Sequence, residues 1–304
     1  MRSLFFPYLS QPISRETVKV AISQVALLNS VEMKEQIIIV DSKEKVRSVL
    51  DEIVGFPTKP PSLYLDLEGI NLSRHGSLSI LTVFVAPTKT AYLVDVHRLG
   101  KDAFSTANKD GTSFKSILES PRITKNISRG VWDLQLMELA TRAGSKRLVS
   151  GLAKCIHGNS DISYGEMLNW QPTKDKGCRL FAPENGGRYE VFNERPLKPE
   201  LVQYCAQDAS LLPGLYDVFT AKLRRLLDAR GWQALVYRTT KDRTKESQGP
   251  YYEPKGRSKA LGPWGMYPIE KTTCVKSVEL TSEDERLLEA IEDLNSAFED
   301  ALEL

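Results

Sequence analysis

The sequence predicts an α/β domain over about residues 35–232. Three observations carry that expectation. Apolar runs of strand length recur near residues 37–40, 63–67, 78–85 and 91–96. Stretches with apolar residues at helical spacing lie between and after them. Turn-forming residues, among them Pro60, Pro61, Gly69 and Pro87, punctuate the runs. The 304 residues suffice for one large or two modest domains with an ample core.

Taken in order, Ile37, Ile38, Ile39 and Val40 read as the first strand. Asp41 then caps a helix over about 42–54, with Glu44 three residues on as a capping box. Leu63, Leu65 and Leu67, with Tyr64, form the next strand, and residues 69–76 turn into another over 78–85. A second turn, 87–90, leads to a strand over 91–96. Asp133 reads as the N-cap of a helix containing Leu134, Leu136, Met137 and Ala140. Residues 171–199, rich in Pro, Gly, Lys and Glu, read as a long insert, either contacting phosphate or a solvated loop. Pro199 opens a long amphipathic helix that continues through Leu211, Leu215 and Phe219.

The chemistry concentrates at two places. On a strand, residues two apart share a face, so Asp66 and Glu68 project together while the leucines fill the other side. Two adjacent carboxylates on a buried strand repel each other and lose hydration, a cost that a cation relieves. Hard divalent ions with oxygen ligands, Mg²⁺ above all, meet that need. An isolated Asp-x-Glu also fits a strand end exposing two solvated acids. Far downstream, Tyr204 and Asp208 stand four apart on the late helix and face the same way. Such a carboxylate suits a metal, and such a phenol suits orienting a water. Alone, the pair also fits a half-buried Tyr and an exposed Asp.

Together these motifs resemble the DEDDy family of 3′-5′ exonucleases, relatives of RNase D within the ribonuclease H-like superfamily. The likeness runs from about residue 60 to the region of Trp264. It is nearest to the Egalitarian-like branch, fungal members especially, through residues 72–79, 133–138 and 151–156. It implies a ribonuclease H-like mixed sheet flanked by helices. It also implies two Mg²⁺ or Mn²⁺ ions held by Asp66, Glu68 and Asp208, with Tyr204 orienting the attacking water, and hydrolysis from the 3′ end of RNA or single-stranded DNA. One part of the pattern is missing. The family's third acid follows a fourth strand, and only Asn126, Ile127, Ser128 and Arg129 stand at that place. A strand plus a helix needs roughly 15–20 residues, so the sheet is expected to lack one strand and one helix. Asp133 is then a cap or a substitute ligand. The chain is a degenerate member, a splice form or a faulty gene model, and a catalytically inactive nucleic-acid-binding or scaffold protein of the same fold is the alternative.

Beyond the domain, Arg238, Lys241, Arg243, Lys245, Lys255, Arg257 and Lys259 interleave with Tyr251, Tyr252, Trp264 and Tyr267 over 233–280. Cations beside aromatics suit single-stranded nucleic acid; a polar tail is the other reading. Ser282 and Glu285 then form a capping box for an acidic helix over 281–304, striped with Leu287, Leu288, Ile291, Leu294, Phe298 and Leu302. That helix is expected to dock on its own domain or on a protein partner. Residues 1–34 read as an N-terminal extension. Its apolar run, residues 4–9, is short and broken by Pro7, which argues against a signal-peptide core. Net charge is +2, so nucleic-acid affinity must come from local patches and metal. Cys155, Cys178, Cys205 and Cys274 lack metal-ligand spacing and read as reduced thiols. No apolar run reaches the roughly 18–20 residues of a membrane span. A cytoplasmic or nuclear protein is expected.

Overall fold

The computed structural model describes residues 36–56, 61–73, 75–119, 131–158, 164–252 and 257–264. The N-terminal extension, the segment around Asn126 and the acidic helix over 281–304 lie outside the described residues.

Strand β1 (Gln36–Val40) leads to helix α1 (Lys43–Ile53), and β2 (Leu63–Ile70), β3 (Ser77–Val85) and β4 (Thr90–Asp95) follow. Short helices α2 (Val96–Leu99), α3 (Asp102–Ser105) and α4 (Phe114–Glu119) precede α5 (Leu134–Thr141) and α6 (Leu152–His157). Longer ones close the series: α7 (Tyr164–Phe181), α8 (Pro199–Ser210), α9 (Leu212–Arg224) and α10 (Ala229–Ser247). Among the described residues the sheet has four strands in the order β1-β4-β3-β2. β1 runs parallel to β4, whereas β3 runs antiparallel to both β4 and β2. The architecture is thus α/β, a mixed sheet flanked by helices.

Strand alternation gives the sheet two apolar faces. On one, Leu81, Val83, Val85, Tyr92 and Val94 pack with Val46, Val49, Leu50 and Ile53 of α1. On the other, Tyr64, Ile80, Phe84, Ala91 and Leu93 pack with Leu201, Tyr204, Cys205 and Ala209 of α8. A third cluster joins Leu136, Met137 and Leu139 of α5 to Trp170, Leu215, Phe219, Val236 and Trp264.

Several details differ from the sequence reading. Ser42, not Asp41, caps α1: its hydroxyl accepts from the Lys45 amide at 3.3 Å. Asp41 is drawn instead to the cations of Lys45 and Arg98. The leucines of β2 do not fill a closed core, since Leu65 is 39 % exposed and Leu67 47 %. Among the described residues β2 is an edge strand, and Leu63 and Leu65 border an open cleft of about 500 Å³ with Phe114, Ile117 and Trp132.

The expected insert is also half helix. Its first residues belong to α7, which runs through Pro172 to Phe181, and 3₁₀ turns at Pro183–Asn185 and Tyr189–Asn193 follow. The late helix breaks after Ser210, because Pro213 sits in the first turn of α9 and cannot donate to a continuing helix. Residue 233, the expected edge of the domain, lies inside α10, where Ala234 and Val236 are buried and Trp232 meets Trp264 edge-on at 5.5 Å. Asp133 does cap α5, accepting from the Gln135 amide at 2.9 Å and the Leu136 amide at 3.4 Å. Its other oxygen takes the Arg243 guanidinium at 2.6 Å.

Candidate active site

Asp66 and Glu68 sit on β2 with side chains on the sheet face that α8 covers, as the shared parity with core residue Tyr64 requires. Asp66 pairs across the sheet with Thr82 and Glu68 with Ile80, just before a bulge at Gly69. From α8, Tyr204 and Asp208 come down one turn apart onto the same face, both buried. The Tyr204 hydroxyl neighbours Glu68 and favours its charged form. Strand and helix thus bring all four sequence-chosen residues into one electrostatic neighbourhood.

The second wall of the site comes from α7, whose residues from 171 onward fall in the expected insert. Trp170, Lys174, Gly177 and Phe181 recur at positions i, i+4, i+7 and i+11, one helical face. The Trp170 indole donates to one oxygen of Asp208 at 3.0 Å. The Lys174 ammonium takes the other oxygen and also donates to the Tyr204 hydroxyl at 3.1 Å. It lies 4.4 Å from the Tyr204 ring centroid, in cation–π contact. Phe181 packs on the same ring at 5.1 Å. Gly177 is required by this approach, because a Cβ there would stand 2.7 Å from Tyr204 ring atoms. Composition hid this wall. The i, i+4, i+7, i+11 stripe was the signal that would have disclosed it.

The segment entering α8 is tied down separately. Arg195 forms a forked pair with buried Asp95 at the end of β4 and donates to the carbonyls of Phe192 and Glu194 at 2.8 Å each. Asn193 accepts from Ser79 of β3 at 2.6 Å. These contacts fix α8, and with it Tyr204 and Asp208, against the sheet.

Three carboxylates share this pocket with the ammonium of Lys174. Burial, reinforced by the Asp208 charge, pushes the Asp66 carboxyl up to about 6. Burial and the neighbouring Asp66 push Glu68 up to about 8, against the opposing hydrogen bond from Tyr204. Burial raises the Tyr204 phenol well above its ordinary value, so it stays protonated and remains a donor. The Thr82 hydroxyl, fully buried and cross-strand from Asp66, has no hydrogen-bond partner among the described residues.

The donor set fits a hard divalent cation in charge and chemistry: hard carboxylate oxygens with excess negative charge, and an orphaned hydroxyl beside them. The arrangement itself gives the cationic place to Lys174. Among the described residues no three His, Cys, Asp or Glu side chains are grouped as a ready metal cage.

Of the basic and aromatic stretch, Arg243 is committed to Asp133 and Gln135, and Lys259 to Glu246 and the Tyr252 ring. Tyr251 is 97 % exposed. Lys255 and Tyr267 lie outside the described residues. Cys155, Cys178 and Cys205 are free thiols. Among the described residues no helix is long and apolar enough to cross a membrane.

No protein-family model matches the chain, and no curated protein does. Solved structures similar to it include the Trypanosoma brucei RNase D: GMP complex, at 20 % identity and TM-score 0.49 over 74 % of this chain and 68 % of that one. T. brucei RNase D in complex with RNA U12 gives 18 % identity and TM-score 0.49 over 78 % of each chain. Escherichia coli RNase D gives 16 % and 0.40 over 69 % of this chain and 50 % of that one. The sheet order and its helical layers, not these likenesses, carry the fold assignment.

Proposed function

We propose that this chain is a metal-dependent 3′-5′ exonuclease of the DEDDy type, acting on RNA or single-stranded DNA. The observation that carries the reading is the meeting of Asp66 and Glu68 on β2 with Tyr204 and Asp208 on α8 across one sheet face. Residues 72–79 support placing it in the Egalitarian-like branch, nearest its fungal members, and a cytoplasmic or nuclear location goes with that placement.

In this reading Asp66, Glu68 and Asp208 hold Mg²⁺ or Mn²⁺, two ions in the family's pattern. Bound there, the ions supply Lewis acidity for phosphodiester hydrolysis. The chain's own groups do the positioning. Trp170 fixes the rotamer of Asp208 through its indole N–H. Tyr204, held by Lys174 and the Phe181 ring beside Glu68, keeps its hydroxyl protonated and aimed at the site to orient the attacking water. The open cleft beside β2, reaching Asp66 and Tyr216, offers apolar and aromatic surface for a base next to the scissile end. The exposed Tyr251 offers a further stacking surface.

The test is digestion of 5′-labelled single-stranded RNA and DNA by the purified chain with Mg²⁺ or Mn²⁺. Stepwise shortening from the 3′ end, abolished by EDTA and by Asp66→Asn or Asp208→Asn, is expected. Turnover that survives Asp66→Asn refutes the site. Strand binding without degradation favours the inactive, nucleic-acid-binding alternative.

A further inference from the structure

Lys174 is the residue that the proposed chemistry leaves unexplained. Its ammonium is largely shielded, with the side chain 17 % exposed, and it faces a carboxylate that is 4 % exposed. It bonds the Asp208 oxygen that Trp170 leaves free, and it bonds the Tyr204 hydroxyl. Its charge also acts on Asp66 and Glu68. One lysine therefore bonds Asp208 and Tyr204 and partly offsets the charge of Asp66 and Glu68.

We infer that Lys174 is a built-in competitor for the divalent cation, holding the acidic cluster together in the metal-free chain and withdrawing when metal enters. The inference rests on the proposed metal site. The argument is steric and electrostatic. A hard divalent ion binds a carboxylate oxygen at about 2.0–2.6 Å, and an ammonium donates to one at about 2.7–2.9 Å. Both on the same Asp208 oxygen would set a dipositive and a monopositive charge a few ångströms apart in a buried pocket. Only one can stay. The ammonium has somewhere to go: it rides on a flexible four-carbon stem over the faces of Tyr204 and Trp170, 4.4 Å and 5.9 Å from their ring centroids. Two consequences follow. Metal-free chain keeps an ordered site, because Asp208 is never left buried and unpaired. Metal affinity is lower than three carboxylates alone would give, so half-occupancy falls at a higher ion concentration.

The test is Mn²⁺ binding, followed by the loss of the free-ion paramagnetic resonance signal, in the wild-type chain and in Lys174→Met and Lys174→Gln. Removing the competing charge should tighten Kd by roughly tenfold or more, and adding Asp66→Asn to either variant should abolish the gain. Equal or weaker binding by the variants, with wild type binding normally, overturns the inference and leaves the metal-site reading standing. Absence of binding by every form at millimolar Mn²⁺ overturns both. If a variant is unfolded in EDTA, recovery of its circular dichroism on adding Mn²⁺ supports the inference, and failure to recover overturns it.

Discussion

Metal-free protein should lose stability as pH rises from 5 to 8, and Glu68→Gln should remove the part of that loss that Glu68 carries. Burial and Asp66 push the folded Glu68 carboxyl from its ordinary 4.5 up to about 8. Between those values the folded chain binds more protons than the unfolded chain, so stability falls with rising pH and levels off above 8. At about 1.4 kcal/mol per pH unit, that window bounds the loss at about 5 kcal/mol. Glu68 titrates together with Asp66, itself raised to about 6. Asp66 adds its own loss below about 6, and coupling within the pair lowers the part that belongs to Glu68 to about 2 kcal/mol. Asp217, raised by burial, loses stability in the same direction from its ordinary 3.8 upward, and Glu68→Gln leaves that part in place. Three further groups act outside the window. Asp41 and Asp102 have lowered carboxyls, whose stabilisation is lost only as pH falls below about 4. Lys146, depressed to about 8 mainly by burial, acts between there and its ordinary 10.5, with the opposite sign: stability rises with pH. Gln at 68 keeps an acceptor for the Tyr204 hydroxyl without charge. Urea unfolding followed by tryptophan fluorescence in EDTA, at pH 5 and pH 8, reads the difference. Glu68→Gln should match wild type at pH 5 and exceed it by about 2 kcal/mol at pH 8. Equal wild-type stability at both pH values, or an equal loss in the variant, would refute the reasoning.

Two further outcomes test the walls of the site. Gly177→Ala drives a methyl into the Tyr204 ring and should cost about 1–3 kcal/mol and slow strand degradation. Gly165→Ala, in open space on the same helix, should be neutral or slightly stabilising, and a matching loss there would show that Gly177 is not special. Arg195→Ala strands the buried Asp95 carboxylate and should cost about 3–5 kcal/mol in urea titrations; a loss below about 1 kcal/mol would mean that the pair does not anchor α8.

Local signals were legible in the sequence and non-local ones were not. The strands announced themselves because each is a short apolar run, and Asp133 announced itself because a cap needs only its own two following amides. Asp66 with Glu68 and Tyr204 with Asp208 were legible because periods of two and of nearly four set which side chains share a face. The exposure of Leu65 and Leu67 was hidden because it depends on β2 lying at the edge of the sheet among the described residues, a fact of topology. The Asp133–Arg243 pair spans 110 residues and leaves no local trace. α7 was hidden for a further reason. Pro172, Gly177, Lys174 and Lys176 give it the composition of a loop, and packing of Trp170 and Phe181, not intrinsic propensity, supports it as a helix.

The hidden helix is the one that changes the chemistry. From β2 and α8 alone, the site is three carboxylates and a phenol, an arrangement too negative to be stable when buried and empty. Adding α7 supplies one ammonium and one indole N–H, both directed at Asp208, and none of the hydrogen bonds described at this site reaches Thr82. Neutralisation is therefore partial. Asp208 is fully satisfied, while Asp66 and Glu68 stay close enough to each other and deep enough for their carboxyls to rise. A protein shaped only for stability would place an amide or a second cation opposite β2. Retaining the deficit leaves the strand-borne pair under-neutralised and the helix-borne acid reserved, an asymmetry that suits a site whose cation arrives from solution against a resident competitor.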